Sequence, residues 1–391
     1  MNASQRARRR ERRRERRESH RRDSLANALD YSSVMSLNSL IASSKTCQQG
    51  VSWKGSVQSF ALRRSTQCAK LKRELDSGAY RKEPATRFTL RERGCERQIS
   101  GVSFRDRVVQ RSLCDNSLVP VLCHGIIDDN SASLKGRGMS RARRRFGQQM
   151  AEAHRRWGDD AVCVQYDFRK YFASIDSRRA SYGVKMEYVR AASGSNILDA
   201  LKIASIADGI VTEERGVGLG NQTSQTVAIW YASPIDHYVR EVMRCGLSGR
   251  YMDDGYAFCH ASEADEVLNS IRGKARSLGL ALHPRKSHAT PLAKPVTFLK
   301  TVYRVKDGKV SVSMCGKSLV RTMRHMRHVR SLLEHGRISA ADYEQSLAST
   351  YGNVCKLASR KQRNRFEAEF SEGYEDVMAR IRSRVFNGTR P

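Results

Sequence analysis

The sequence predicts an α+β protein whose mixed central region is followed by a helical C-terminal region. Between Val162 and about Tyr303, segments typical of strands, helices and hairpins alternate, as they do in α+β domains. After Ser311 apolar residues recur at helical spacing with basic residues between them, and Gly336 is placed to end that helix. The apolar positions are Leu319, Met323, Met326, Val329 and Leu333.

Composition indicates a globular protein with a highly charged surface. The chain has 391 residues, enough for two or three domains, and 39% of them are hydrophobic. No apolar run approaches the length of a membrane span and the N-terminus lacks a signal-peptide core, so we expect no membrane partner and a cytoplasmic location. The ten cysteines include no CxxC pair, which argues against a zinc site and a secreted disulfide framework.

The net charge points to a polyanionic partner, because 71 Lys and Arg against 40 Asp and Glu give a formal charge of +31. Residues 1–24 form an arginine-rich arm, in which Arg6 to Arg22 holds eleven arginines and three glutamates. We expect this arm to order on RNA, and a solubilising role is the simpler alternative. Removing the net +8 of Arg6 to Arg22 leaves +23, so the rest of the chain is basic in its own right.

Three patterned segments precede residue 150. Thr86–Gly101 alternates like a β-hairpin. Phe104 to Leu122 is typical of a helix with one apolar side, broken near Pro120. Lys135 to Arg145 predicts a glycine-containing turn that enters a basic helix, and such a turn suits either phosphate contact or an ordinary exposed loop.

An almost wholly apolar run, Ala161 to Tyr166, is typical of a buried strand, and Asp167 ends it. A carboxylate at the end of a central strand has few local partners, so a cation or a hydrogen-bond donor must offset its desolvation. A metal ion is one candidate. Arg169 or Lys170 as a plain salt-bridge partner is the other.

A second acidic position lies in GRYMDDGYAFC, Gly249 to Cys259, where Asp253 and Asp254 stand between two runs typical of strands. Asp254-Gly255 is a strong turn signal, so we expect both aspartates at the tip of a β-hairpin. An Asp-Gly turn alone needs no chemistry. Two-metal phosphoryl transfer, however, needs several carboxylates from different segments of a chain, and Asp167 supplies another.

These segments resemble, in order, the motifs of prokaryotic reverse transcriptases related to group II intron and retron enzymes. The segment around Asp167 resembles motif A, GVGLGNQTSQ (216–225) motif B, YMDD motif C, GLALHPRKS (279–287) motif D, and VTFLKTVY (296–303) the primer grip. Upstream, ERQISGVSFRDRVVQRSL resembles a fingers motif. The resemblance runs from about Thr86 to Tyr303, more than half of the chain.

The resemblance implies a right-hand polymerase in which the basic arm (1–24) precedes fingers (25–150), a palm with an antiparallel sheet and part of the fingers (151–305), and a helical thumb (306–391). It implies two Mg²⁺ ions, with Mn²⁺ as a substitute, at Asp167, Phe168, Asp253 and Asp254. The implied catalytic residues are these three aspartates and Lys286, which would assist the leaving pyrophosphate, unless it is an ordinary surface lysine.

The resemblance also implies how the nucleotide is bound. Arg97 is expected to grip the triphosphate, with Arg93 in reserve. Phe172 stands where family members place an aromatic ring against the sugar C2′, which favours deoxynucleotides; alternatively, Tyr171 and Phe172 are both core residues. The full set of implied substrate-binding residues is Arg97, Phe168, Phe172, Leu219, Gly220, Gln225, Tyr251 and Met252.

Two residues depart from the common family pattern. Leu219 replaces the usual glutamine before the motif B glycine, which resembles the branch that contains diversity-generating retroelements and several defence-associated enzymes. In the former, an aliphatic residue there accompanies error-prone copying at template adenines. Lys300 stands where glycine is common, which leaves the primer-grip geometry open.

The resemblance therefore predicts an RNA-directed DNA polymerase that copies a dedicated structured RNA, in antiviral defence or mutagenic retrohoming. The expected partners are that RNA, a DNA product or primer, and dNTPs, while an accessory protein or an oligomer stays open. Two alternatives come from other classes. One is a template-independent DNA polymerase or an RNA-copying RNA polymerase, and the other is a catalytically idle RNA-binding protein with the same fold.

Overall fold

A computed structural model of the protein describes residues 25–92, 95–192, 196–212, 216–218, 220–306 and 308–387. The arginine-rich arm, 1–24, lies outside these residues. The chain divides into two compact units. The first comprises 1–133, 167–238 and 270–283, and the second comprises 134–166, 239–269 and 284–391. The division into fingers, palm and thumb stays a prediction.

Helices dominate the described residues. Residues 25–29 are helical, and the following helices are α1 (Tyr31–Val34), α2 (Leu37–Gln48), α3 (Gly55–Leu62), α4 (Arg64–Asp76), α5 (Phe104–Leu113), α6 (Val119–Cys123), α7 (Met139–Trp157), α8 (Tyr171–Ser174), α9 (Ser177–Ala191), α10 (Ile197–Val211), α11 (Gln222–Tyr231), α12 (Ser233–His237), α13 (Ala264–Ser277), α14 (Gly316–Glu334), α15 (Ala340–Leu357), α16 (Arg360–Phe370) and α17 (Glu375–Asn387). Cys114–Leu118 and Tyr238–Val242 are π-helical, and Gly158–Asp160 and Ala261–Glu263 are 3₁₀-helical.

Nine strands form three sheets. The strands are β1 (Thr86–Glu92), β2 (Cys95–Gly101), β3 (Ala161–Asp167), β4 (Ser248–Tyr251), β5 (Asp254–His260), β6 (His288–Pro291), β7 (Val296–Phe298), β8 (Thr301–Lys306) and β9 (Lys309–Met314). Their orders are β1-β2, β4-β5-β3-β6 and β7-β8-β9. The registers described for β1·β2, β3·β6, β4·β5, β7·β8 and β8·β9 are all antiparallel. The predicted α+β class with antiparallel sheets is therefore confirmed.

The first unit packs helices together and carries the β1-β2 ribbon. Its α5 begins at the Ser103 cap and buries Val108, Val109 and Leu113, the apolar side that the sequence predicts. Asp106 in the same helix is fully buried and accepts hydrogen bonds from the Tyr80 hydroxyl (2.9 Å) and the backbone N–H of residue 83 (2.8 Å). This carboxylate thereby anchors the segment that leads into β1.

The second unit contains two hydrophobic cores. One surrounds Phe146 of α7, whose ring packs within 4.7 Å of the Tyr256, Phe298 and Tyr303 ring centroids. It joins α7 to the four-stranded and three-stranded sheets of this unit. The other core lies among α14, α15, α16 and α17, where the predicted apolar positions of α14 are buried or packed against the core.

Predicted helix and hairpin boundaries can be compared directly with the structure. The hairpin over Thr86–Gly101 is confirmed, with Thr86 opposite Gly101. The break predicted near Pro120 does not form: the chain stays helical from Phe104 to Cys123, with a π-helical segment at Cys114–Leu118. Pro120 lies just after this π-helical segment, and wider π-helical hydrogen bonding is one way a helix accommodates a residue without an N–H. At the end of α14, Gly336 has φ +66° and the N–H of Arg337 bonds to the Leu332 carbonyl, as in a Schellman motif.

Across the part of the chain that the structure describes, none of the helices combines the length and apolar character needed to cross a bilayer.

Candidate active site

The strand that ends at Asp167 has the predicted form. β3 is buried along almost its whole length, and Asp167 is 5% exposed. The Asp167 carbonyl accepts a hydrogen bond from the His283 N–H (2.7 Å), and the Arg169 N–H donates to the Ala281 carbonyl (2.8 Å). With the Phe168–Leu282 bridge between them, these bonds tie the motif A segment to the motif D segment inside the first unit.

The two aromatic residues after Asp167 occupy different environments. Tyr171 is 3% exposed and its hydroxyl donates to the Ala228 carbonyl of α11, so this ring is a core residue. Phe172 is half-buried, and its carbonyl accepts the Val217 N–H at 3.0 Å. Gly216, at φ +65°, approaches that carbonyl so closely that a Cβ would overlap it. Of the two rings, Phe172 is the more exposed, and its predicted contact with the nucleotide stays a prediction.

The motif B segment lies against the β1-β2 ribbon. Gly220 has φ +117°, and a Cβ there would lie 3.3 Å from Ile99 Cγ2 and 3.4 Å from the carbonyl of residue 100. The backbone conformation and this close approach both favour glycine. On α11, Gln225 is half-buried and its Oε1 accepts a hydrogen bond from Ser133 Oγ at 3.2 Å. Ser133 itself has φ +46°.

Three of the predicted fingers and motif B positions are only partly described or not described. Arg97 pairs with Leu90 in the β1-β2 ribbon, but its side chain lies outside the described part of the chain. Arg93 and Leu219 also lie outside it. The predicted triphosphate contact and the predicted fidelity effect of Leu219 therefore stay predictions.

The aspartates of YMDD do lie at a β-hairpin, but its turn is one step earlier than the sequence predicts. Tyr251 pairs with Asp254 and Arg250 pairs with Gly255, so the two-residue turn is Met252-Asp253 and Asp254 begins β5. Met252 adopts φ +57°. A long side chain in that left-handed region costs about 1–2 kcal/mol, so other contacts must hold the turn. The expectation of an Asp254-Gly255 turn is wrong.

Gly255 has a packing role instead of a turn role. The ring of Tyr166 in β3 occupies the space where a Cβ at position 255 would lie, so no side chain fits there. Both residues belong to the second unit, in which β3 and β5 are neighbouring strands of one sheet. Asp167 is the last residue of β3 and Asp254 is the first residue of β5. The two strands that carry the predicted catalytic carboxylates are therefore adjacent in the sheet.

Sequence reasoning missed Arg250, which precedes YMDD by one residue. Its side chain is only 1% exposed and is among the largest fully buried side chains described. Its Nη1 donates to the Met252 carbonyl at 2.7 Å, the length of a charge-assisted hydrogen bond. Arginine is almost never fully buried without a specific partner, so an arginine among strand residues is expected to be exposed. The sequence therefore gave no signal that Arg250 is buried.

The remaining predicted residues of the second unit lie in separate places. Tyr251 is half-buried and packs against the Phe146 core. Lys286 is exposed in the turn that precedes β6, and its predicted catalytic role stays a prediction. The primer-grip turn uses Leu299 and Lys300 at φ +47° and +63°, and Arg143 donates to the Leu299 carbonyl from Nη2 (2.7 Å) and Nε (3.2 Å). Lys300 thus adopts the conformation for which glycine is common.

Cysteines near this sheet are unsuited to nucleophilic chemistry. Cys163 in β3 and Cys259 in β5 are buried free thiols. Burial raises the pKa of Cys163 well above its usual value and raises that of Cys259 to about 12. Both thiols are therefore protonated at neutral pH, and they pack as small apolar groups. Hard cations such as Mg²⁺ prefer oxygen ligands, which the carboxylates at this sheet can supply and the thiols cannot.

Among the described residues, no group of three or more His, Cys, Asp and Glu side chains is arranged to hold a metal ion. In the second unit the carboxylates of the hairpin are those of Asp253 and Asp254, and Asp167 follows Tyr166 at the end of the neighbouring strand. No protein-family model matches the chain, and no curated protein is significantly similar to it.

Proposed function

We propose that the protein is an RNA-directed DNA polymerase that makes cDNA from a dedicated structured RNA. One observation carries the proposal: a buried strand that ends in Asp167 lies beside the hairpin that presents Asp253 and Asp254. The order of the sequence motifs supports it, because motif A precedes the glycine-containing motif B and the YMDD hairpin follows. Two-metal nucleotidyl transfer needs carboxylates on neighbouring rigid elements, and the adjacency of β3 and β5 supports the proposal in that respect.

The donor atoms proposed for the metal are of the kinds that magnesium prefers. Carboxylate and carbonyl oxygens are the ligands that Mg²⁺ and Mn²⁺ prefer, and in the proposal Asp167, Phe168, Asp253 and Asp254 supply them. Two bound ions would lower the charge on the reacting phosphate and on the departing pyrophosphate. Asp253 lies in the two-residue turn at the end of the β4-β5 hairpin. Asp167 is buried, so a cation bound there would offset the desolvation of its carboxylate.

Nucleotide selection is proposed to come from the first unit. Phe172 is half-buried and its carbonyl accepts the Val217 N–H, and in the proposal its ring excludes a 2′ hydroxyl. Gly220 and Gln225 border the same segment, and Arg97 on β2 would reach the triphosphate. In the second unit, Tyr251, Met252 and Lys286 would contact the primer end or the departing pyrophosphate.

A basic surface on the C-terminal helices supports a nucleic-acid partner. On α14 the side chains of Lys317, Arg321 and Arg324 are exposed and recur on one side of the helix. His325 and His328 are exposed beside them. Arg327 on the same helix instead pairs with Glu369. Three exposed cations at this spacing suit the phosphates of an RNA or an RNA–DNA duplex, which are the polyanions expected from the net charge.

The biological setting is proposed from Leu219 and the motif B pattern. Antiviral defence and mutagenic retrohoming both use a reverse transcriptase with a dedicated RNA. Sequencing the nucleic acid that co-purifies with the protein separates them. A noncoding RNA and its cDNA support defence, whereas a cDNA with substitutions at template adenines supports retrohoming.

The experiment that tests the proposal is nucleotide incorporation by the purified protein with Mg²⁺. Labelled dNTPs or rNTPs are supplied with a primed RNA, with the primer alone, and with no nucleic acid. Incorporation of dNTPs that needs the RNA supports the proposal. Incorporation of dNTPs without a template supports a template-independent polymerase, rNTP incorporation on the RNA supports an RNA polymerase, and RNA binding without incorporation supports an idle RNA-binding protein.

A further inference from the structure

The YMDD turn is held by a buried arginine that belongs to its own strand. Arg250 is the penultimate residue of β4, and its Nη1 reaches past Tyr251 to the carbonyl of Met252. The guanidinium is removed from solvent, so folding includes the free-energy cost of desolvating a permanent charge at this position. A bond of 2.7 Å from that group restrains the acceptor carbonyl more strongly than a neutral donor would.

The restrained carbonyl belongs to a residue that would not hold its conformation unaided. Met252 has φ +57°, a region that a long side chain leaves readily for the β or right-handed region. The Met252 carbonyl is part of the peptide that leads directly into Asp253. If this peptide rotated, the Cα and carboxylate of Asp253 would move with it.

The same device occurs a second time in this unit. Leu299 also has a positive φ in a two-residue turn, and Arg143 donates to its carbonyl at 2.7 Å. Burial lowers the pKa of Arg143, as expected for a guanidinium held away from water. In both turns, a residue other than glycine adopts the left-handed conformation, and an arginine side chain donates a hydrogen bond to the carbonyl of that residue.

Packing leaves Arg250 little alternative to this position. Its cross-strand partner is Gly255, the residue whose side-chain space is taken by the Tyr166 ring. In a sheet, cross-strand partners project to the same face, so Tyr166 and Arg250 flank the glycine on that face. Strand packing on one side and the turn on the other thus direct the guanidinium to the Met252 carbonyl.

We infer that Arg250 is a positioning residue for the metal site: it fixes the left-handed turn that presents the Asp253 carboxylate. The inference rests on the proposed function, because it assigns Arg250 a role in the site proposed above. If Arg250 is replaced by a neutral residue, a geometric role and a purely electrostatic role predict opposite changes in cation affinity. Removing a nearby positive charge alone would strengthen cation binding, whereas loosening the turn would weaken it.

The test measures Mn²⁺ binding directly, by electron paramagnetic resonance titration of the full chain, together with the Mg²⁺ dependence of primer extension. Arg250→Lys keeps the positive charge but loses the planar guanidinium. Arg250→Gln removes the charge and keeps a neutral hydrogen-bond donor, so this variant has no unpaired cation in the protein interior. Arg240→Lys is the matched control, since Arg240 Nη2 donates to the Ser248 carbonyl of the same hairpin, away from the turn. Melting curves verify that each variant is folded.

Both Arg250 variants are expected to bind Mn²⁺ about tenfold more weakly and to need about tenfold more Mg²⁺ for half-maximal extension, while Arg240→Lys matches the parent. Folded Arg250 variants that bind Mn²⁺ as tightly as the parent, or more tightly, would overturn the inference and leave the polymerase assignment standing. A parent protein that neither binds Mn²⁺ nor extends a primer would overturn the proposed function itself.

Discussion

The Tyr166 ring lies directly over Gly255, so the strand that ends in Asp167 and the strand that begins with Asp254 are packed together through a position that accepts no side chain. A Cβ at 255 would overlap the ring, and the ring belongs to a buried residue that is 3% exposed. The spacing of these two strands therefore depends on a glycine whose role is close packing.

Gly255→Ala is expected to destabilise the protein by about 1–3 kcal/mol, because the methyl group must displace the Tyr166 ring or separate the strands. Chemical denaturation measures the free energy of unfolding. Gly273→Ala on α13 is the matched control, since a Cβ there meets open space and alanine favours a helix by about 1 kcal/mol. Equal stability of Gly255→Ala and the parent would contradict this packing.

Phe172→Val is expected to raise ribonucleotide incorporation relative to deoxynucleotide incorporation by about 10–100-fold, because the smaller side chain leaves room for a 2′ hydroxyl. Single-nucleotide extension with dNTPs and rNTPs gives the ratio of kcat/KM values. Tyr171→Phe is the control: it removes the hydroxyl that donates to the Ala228 carbonyl but leaves the ring in the core. Unchanged sugar discrimination in Phe172→Val would show that Phe172 does not select against ribonucleotides.

Affinity for RNA is expected to fall steeply with salt, because Lys and Arg contacts release counterions from phosphates. Replacing Lys317, Arg321 and Arg324 of α14 by Gln should reduce the slope of log K against log salt concentration by about two to three, at about 0.7–0.9 per lost contact. Fluorescence anisotropy over a range of salt concentrations measures the slope. Arg327→Gln is the control, since that guanidinium is paired with Glu369. If the triple variant kept the parent's slope, α14 would not be an RNA-binding surface.

Leu219→Gln is expected to lower misincorporation at template adenines, because glutamine is the residue that most reverse transcriptases carry before the motif B glycine. Sequencing cDNA copies of one defined RNA from both proteins measures the error spectrum. Gln225→Asn, which shortens a neighbouring side chain bonded to Ser133, shows whether any change near motif B has the same effect. Identical error spectra for Leu219→Gln and the parent would remove the inference from this residue.

Local patterns in the sequence were sufficient for much of the fold. The apolar run before Asp167, the alternation over Thr86–Gly101 and the helical spacing of α14 each predicted the element that forms. These signals work because strand and helix faces are buried with fixed periods of two and 3.6 residues. A glycine at a positive φ was also predictable where it ends a helix, as Gly336 does.

Contacts between distant residues account for what the sequence did not predict. The Asp254-Gly255 pair is a strong turn signal, yet the glycine is required by Tyr166, which lies 89 positions earlier in the chain, so the turn moves to Met252-Asp253. Arg250 follows an apolar and glycine-rich stretch that gives no hint of a buried guanidinium. Its Nη1 bonds to a carbonyl two residues away that comes within reach only when the hairpin has formed.

The central claim is that the Asp253 carboxylate, with Asp167, drives metal-dependent extension of a DNA strand on RNA. The most direct measurement is the initial rate of dNTP incorporation on a primed RNA by the parent, Asp253→Asn and Asp167→Asn, with Asp265→Asn on the exposed first turn of α13 as the control. Folding of each variant is verified by its melting curve. The account predicts a fall of about 10³-fold or more for the first two variants and a parent-like rate for the control. Extension by a folded Asp253→Asn variant at the parent's rate would contradict it.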